Sequence, residues 1–153
     1  MSKAFPLYID LEGNNCTVFG GDSAAYAAIM TLLQYDAKVT VISPTVCPEI
    51  EALDANRTIR YLRRRYCRGD CSGTRLCVAF TDTPALNISI SDECKNKGVP
   101  VAVNTPAGFG NFTLPQTTIC GDTVVAVANT KDEKIAKTVL EKIEKNLPRW
   151  VKE

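Results

Sequence analysis

The chain has 153 residues, 45% of them hydrophobic and 23% charged, which suits one soluble domain with a full core and at most a small appendage. A net charge of +1 creates no field toward nucleic acid or anionic membrane, and no apolar run nears the roughly 18 residues that cross a bilayer. The opening segment Met1–Pro6 has no signal-peptide apolar stretch, so a cytoplasmic location is expected, with neither nucleic acid nor membrane as partner.

A short apolar lead-in over residues 5–13 ends at Gly13. Cys16–Phe19 reads as a strand that breaks on Gly20-Gly21-Asp22. Ser23–Tyr35 is expected to be a helix, with Ala25, Ile29, Leu32 and Leu33 on one face at three- and four-residue spacing. A second strand follows at Lys38–Ile42, ended by Pro44-Thr45, then a short helix at Cys47–Asn56 and a third strand at Thr58–Leu62. Arg75–Phe80 is a continuous apolar run of the kind that parallel sheets bury on both faces. Pro84–Lys97 reads as a helix closed by Gly98, and Val99–Val103 as the fifth strand. Strands alternating with helices imply right-handed crossovers and a parallel sheet.

The pattern then changes. Thr117–Cys120 and Thr123–Ala128 read as two strands joined by the two-residue turn Gly121-Asp122. Lys131–Asn146 is an amphipathic helix with Ile135, Val139 and Ile143 on one face, stopped by Leu147-Pro148. A hairpin and one helix make a poor core alone, so this tail is expected to pack on a second subunit in a homodimer. The expected fold class is α/β: a Rossmann-type doubly wound parallel sheet over residues 1–112, then a hairpin-plus-helix dimerisation region over residues 113–153.

The seven cysteines are odd in number and irregular in spacing, unlike a secreted disulfide framework. Cys16, Cys77 and Cys120 fall in or beside apolar strands and are expected to be buried thiols. Cys67 and Cys71 flank Arg-Gly-Asp, with Cys77 a little further on. With no Cys-x-x-Cys pair and no histidine in the chain, no metal ligand set is expected.

The strand that turns through glycines straight into a helix is how α/β proteins build a dinucleotide site, with the pyrophosphate on the helix N-terminus. The site would comprise Gly20, Gly21, Asp22, Ser23 and Ala24 from the turn, Ser43, Pro44 and Thr45 after the second strand, and Thr81 after the fourth. Asp22 stands where such a loop wants a second glycine, and an aspartate there is also a good N-cap that competes with phosphate for the same amides. The second strand ends on Ser43 and not on an acidic residue that would hold the adenine ribose. Asp82 lies at the ligand crevice, where it can act as proton acceptor or cap the next helix. Six arginines fall between Arg57 and Arg68. Arg60 and Arg64 would share a strand face and suit a polycarboxylate ligand, against the alternative of a solvated, charge-protected edge strand.

Several segments together resemble the siroheme synthase N-terminal family, the precorrin-2 dehydrogenases, some of which are also sirohydrochlorin ferrochelatases. They are Phe5-Pro6-Leu7-Tyr8-Ile9-Asp10-Leu11-Glu12-Gly13, Val39-Thr40-Val41-Ile42-Ser43-Pro44, Ala79-Phe80-Thr81-Asp82-Thr83-Pro84-Ala85-Leu86-Asn87, Gly98-Val99-Pro100-Val101 and Asn111-Phe112-Thr113-Leu114-Pro115. The segment from Ala79 to Asn87 looks like the family's A-A-T-D-D-x-x-L-N, and that from Asn111 to Pro115 like its N-F-I-F-P. The resemblance implies NAD as cofactor, a tetrapyrrole ligand, a homodimer formed through the tail, and hydride transfer from precorrin-2 to give sirohydrochlorin.

The departures bear on chemistry. The family's G-G-G-x-V-A has Asp22 as its third residue here, and its basic pair falls on Ala27 and Ala28. The family aspartate after the fifth strand aligns to Thr105, beside Asn104, and Asn129-Thr130-Lys131-Asp132 replaces the S-x-G-G-x-S-P stretch. Thr105, Asn104 and Asp82 are therefore the candidate catalytic residues. Thr105 cannot serve as a base because its hydroxyl does not ionise near neutral pH, though it can orient a substrate carboxylate. Two outcomes stay open: an NAD-dependent dehydrogenase, or a non-catalytic homologue that binds a tetrapyrrole or a partner protein and has lost the cofactor.

Overall fold

The computed structural model describes residues 3–129 and 131–152. Expectations touching Met1, Ser2, Thr130 and Glu153 lie outside the described residues. The chain divides into two compact units, one spanning Tyr8–Phe112 and one built from Thr113 onward together with the chain before Tyr8. Among the described residues, no helix is long and apolar enough to cross a membrane.

In the first unit, β1 (Asn15–Phe19), β2 (Lys38–Ser43), β3 (Arg60–Arg63), β4 (Leu76–Ala79) and β5 (Val101–Val103) form one sheet in the order β3-β2-β1-β4-β5. All four pairings are parallel. The central strands β1 and β4 are largely apolar because both faces are covered, and Cys16, Val18, Phe19, Cys77, Val78 and Ala79 are wholly buried. Helix α1 (Ser23–Leu33) packs on β1 and β2 through Ala25, Ala28, Ile29 and Leu32. Helix α2 (Pro48–Ala55) anchors through Ile50, and α3 (Pro84–Asn96) packs on β4 and β5. On the α3 side, Phe19, Ile42, Cys77, Ala79 and Val101 meet Ile90, Cys94 and Cys71 in one core cluster. Each fully buried branched side chain there is worth about 1.5–3 kcal/mol.

Element ends shift from the sequence expectation for local reasons. Strand β3 starts at Arg60, not Thr58, because Arg57 is left-handed (φ 62°) and the Asn56 side chain accepts the Thr58 amide at 3.0 Å, which closes a turn first. Strand β5 starts at Val101, not Val99. Gly98 (φ 68°) ends α3 and the Val99 amide returns to the Cys94 carbonyl at 2.9 Å, so Val99 belongs to the helix closure. Asn111 then fastens the end of the unit, its side chain accepting the Val101 amide at 2.8 Å.

The second unit pairs β6 (Gln116–Cys120) with β7 (Thr123–Val127) antiparallel, and Cys120 opposite Thr123 closes the expected Gly121-Asp122 turn, with Gly121 left-handed at φ 59°. Helix α4 (Glu133–Trp150) packs on this hairpin. The buried stripe of α4 is Ala136, Leu140 and Leu147, while Ile135 and Val139 of the expected apolar face are 50% and 40% exposed. Ile135 and Val139 are each one position before a buried residue, so helical spacing fits both stripes. One expectation is corrected here: Pro148 does not stop the helix, which runs through it to Trp150. Proline costs the helix one amide near its end, and the Val151 amide still reaches the Leu147 carbonyl at 3.0 Å.

Candidate functional site

Strand order reverses direction at β1 and β4, so the crevice beyond their C-terminal ends is the ligand position of such a sheet. Both glycines of the turn are required there. Gly20 has φ 124°, and a Cβ on it would lie 2.2 Å from the Phe80 carbonyl oxygen. A Cβ on Gly21 would lie 2.1 Å from the carbonyl oxygen of Thr45. The turn thus touches the chain leaving β4 on one side and the loop after β2 on the other, and the Cys47 amide bonds the Gly21 carbonyl at 2.7 Å.

Asp22 caps α1. Its carboxylate accepts the Ala25 amide at 3.0 Å and its carbonyl accepts the Tyr26 amide at 3.0 Å. The amides of Ser23 and Ala24 are left at the open helix end, where no intrahelical carbonyl reaches them. In backbone shape the turn fits a dinucleotide. In charge it does not, because the cap holds a carboxylate where a pyrophosphate would approach.

The other expected cofactor residues are partly committed to the fold. Ser43 is buried, its hydroxyl donates to the Thr45 carbonyl at 2.7 Å, and its own carbonyl accepts the Tyr61 hydroxyl at 3.0 Å. Pro44 and Thr45 are exposed. Thr81 donates its hydroxyl to the Asn87 side-chain oxygen at 2.7 Å.

Asn87, to which the sequence argument assigned no role, organises this region. It is fully buried, and all four of its hydrogen-bonding positions are used. Its oxygen accepts the Thr81 amide and hydroxyl; its nitrogen donates to the Thr81 carbonyl at 3.1 Å and the Thr105 carbonyl at 2.8 Å. Thr81 and Thr105 are thereby held to one side chain, while the side chains of Asn104 and Thr105 remain exposed. The legible signal was an amide on the α3 face shared by Ile90 and Cys94, where burial demands partners.

Asp82 does not cap α3, which corrects the capping alternative. The N-cap is Thr83, with no side-chain cap bond, and the exposed Asp82 carboxylate accepts only the neighbouring Thr83 hydroxyl, at 3.1 Å, among its hydrogen bonds to described residues. The two singled-out arginines do not share a strand face, because β3 ends at Arg63. Arg60 opens β3 in register with Thr40 and, across β2, with Thr17, beside a shallow cleft of about 290 Å³ shared with Thr17, Thr40, Asp70 and Thr74. Arg64 lies beyond β3 and grips Asp70 with both guanidinium nitrogens, at 2.8 and 2.9 Å, which holds the Asp70 carboxyl below its usual range.

The loop after β3 is tied down by Glu93 on α3. Its carboxylate accepts the Tyr66 hydroxyl, the Gly69 amide at 2.8 Å and the Lys97 ammonium at 2.6 Å. Burial pushes the Glu93 carboxyl up, but the bonds from Lys97, Tyr66 and Gly69 outweigh it and hold the group below its ordinary 4.5. Under this loop Cys71, Cys77 and Cys94 converge with their sulfurs all within 4.8 Å of one another. Hydrogen bonds from the Cys71 and then the Cys77 thiols draw Cys94 down to about 4, and the same contacts with burial push Cys77 up. Cys67, expected beside Cys71 in sequence, is exposed, Cys120 is only half-buried, and Cys94 is the member that spacing did not reveal.

A family model described as "Putative NAD(P)-binding" matches residues 7–116. The chain belongs to that family, the one of siroheme synthase N-terminal regions and precorrin-2 dehydrogenases. It is 31% identical over 145 residues to a siroheme synthase of Thioalkalivibrio sulfidiphilus, covering 94% of this chain and 30% of that protein. It is 28% identical over 141 residues to a precorrin-2 dehydrogenase of Bacillus subtilis, covering 92% of this chain and 86% of that one. The solved structure of SirC, a precorrin-2 dehydrogenase, superposes with a TM-score of 0.75 at 25% identity, over 97% of this chain and 76% of that chain. The chain therefore spans under a third of the siroheme synthase and most of the dehydrogenase.

Proposed function

We propose that this chain acts in siroheme biosynthesis as an NAD-dependent precorrin-2 dehydrogenase whose dinucleotide is held weakly. The observation that carries the proposal is the glycine turn. Two glycines closed against the Phe80 and Thr45 carbonyls leave no room for side chains, and the turn opens onto the β1/β4 crevice. When bound there, the nicotinamide would accept the hydride that leaves a macrocycle carbon of precorrin-2, so that sirohydrochlorin, NADH and one proton are the products. Asp82, exposed at the crevice and not spent on a helix cap, would take that proton. The exposed Thr105 hydroxyl and Asn104 amide can hold a substrate carboxylate, positioned through the Asn87 bond to the Thr105 carbonyl. The chain is also proposed to be a homodimer and to reside in the cytoplasm.

The non-catalytic alternative rests on one observation, the Asp22 carboxylate on the Ala25 amide at 3.0 Å. Incubation with precorrin-2 and NAD under anaerobic conditions separates the two. Growth of NADH absorbance with formation of sirohydrochlorin, lost in Asp82→Asn, supports the dehydrogenase. Sirohydrochlorin binding without turnover at any NAD concentration would replace it with the binding protein.

A further inference from the structure

The buried thiols are not explained by the crevice chemistry. Cys71 comes from the loop after β3, Cys77 from the N-terminal half of β4 and Cys94 from the last turns of α3. All three are buried, and the crevice lies at the opposite, C-terminal end of β4. We propose that Cys71, Cys77 and Cys94 form a three-thiolate site for one soft, closed-shell metal ion of the Cu(I) class.

The geometry carries this. With metal–sulfur bonds of about 2.3 Å, three sulfurs around a planar trigonal ion stand about 4.0 Å apart. The three sulfurs lie within 4.8 Å of one another, so they close on an ion by a shift of less than about 1 Å. A disulfide would need two sulfurs at about 2.05 Å and would leave the third thiol without a role. The donor set also selects the ion. Thiolates are soft ligands that favour Cu(I). Zinc in structural sites almost always takes four ligands, and among the described residues no fourth Cys, Asp or Glu joins this cluster. The chain has no histidine, and the nearby Glu93 carboxylate is held by Tyr66, Gly69 and Lys97. Entry would be through the covering loop, where Gly69 and Gly73 both have positive φ and a Cβ on either would meet nothing within 4 Å. Binding would convert the thiols present to thiolates and release their protons to solvent, with no change in oxidation state. Its structural effect would be to staple the loop to β4 and α3.

The test is anaerobic titration of the reduced full chain with Cu(I) against a chromophoric Cu(I) chelator, with X-ray absorption at the copper edge. One equivalent bound to three sulfurs is expected. Cys94→Ser and Cys71→Ser should each weaken binding at least ~10-fold, as loss of a ligand exceeds the loss of an outer partner. Cys67→Ser and Cys120→Ser should leave it unchanged. If the triad variants fail to fold, the wild-type sulfur count decides alone. Fewer than three sulfurs, failure to compete with the chelator, or binding retained in the Cys71→Ser/Cys94→Ser double variant would reduce the cluster to packed thiols. Zn(II) bound more tightly than Cu(I) by the same three residues would overturn the three-coordinate assignment.

Discussion

The side-chain amide of Asn87 donates to the backbone carbonyl of Thr105 at 2.8 Å across 18 residues of sequence. Since the same side chain also takes the Thr81 amide and hydroxyl, one residue fixes the ends of β4 and β5 against each other. Any substrate contact made by Asn104 or Thr105 depends on this bond. Asn87→Ala is expected to destabilise the protein by about 2–4 kcal/mol, since several buried polar groups lose their partner at once. Urea unfolding reads this as a lower midpoint at unchanged slope. If Asn87→Ala matched the wild-type midpoint, the bonds would not be holding the crevice.

The framework was legible from periodicity because each strand and helix of the first unit carries one simple apolar pattern, and a turn that needs two glycines announces itself. What spacing does not carry is the partner of a side chain. Asn87 was visible as part of a motif, but its four bonds come from residues up to 18 positions away. Nothing in the spacing singled out Cys94, and only the fold brings it to Cys71 and Cys77. Asp22 was readable because its partner, Ala25, is local. On α4 two neighbouring apolar stripes share the helical period, and only the fold shows that Ala136, Leu140 and Leu147 are the buried one.

The tail is expected to hold two chains together. Ile119, Ile135, Val139 and Trp150 in the second unit are each at least 40% exposed. A helix that buries Ala136, Leu140 and Leu147 on its own hairpin and still presents a second apolar stripe suits an isologous interface. Light scattering at micromolar concentration should give about twice the 16.7 kDa chain mass, and Ile135→Lys with Val139→Lys should return it to one chain. A monomeric wild type with a folded tail would dispose of the dimer.

Glu93 makes the loop over the thiol cluster sensitive to acid. Its carboxyl is held below its ordinary 4.5 in the folded protein. The sign follows from that depression: the stabilisation is fully present above the unfolded value and is lost as pH falls through the lower folded value. Glu93→Gln should cost about 1.5–3 kcal/mol at pH 7, the range for hydrogen bonds to a charged group. The difference between the two proteins should shrink steadily below pH 4.5. Denaturant midpoints measured across that window check this, and a gap that stays constant with pH would show that the carboxylate charge contributes nothing.

The sharpest consequence concerns Asp22. Its carboxylate sits on the Ala25 amide at the helix end where a pyrophosphate belongs. Repulsion between that charge and a phosphate at close range near a surface is worth on the order of 1–4 kcal/mol. Wild-type protein should therefore bind NAD weakly. Asp22→Gly removes the charge and the side chain and restores a glycine at the close-approach position. The helix should tolerate it, since glycine is an acceptable N-cap costing a few tenths of a kcal/mol. NAD affinity should rise about tenfold or more if relief of the repulsion is worth at least 1.4 kcal/mol. The gain should be larger at low salt, because an exposed charge is screened over about 10 Å at 0.1 M. Calorimetric titration of both proteins at two salt concentrations measures all of this. Tight binding by the wild type would mean that Asp22 leaves its cap when the dinucleotide arrives. No binding by either protein would move the loss of cofactor beyond this residue and favour the non-catalytic homologue.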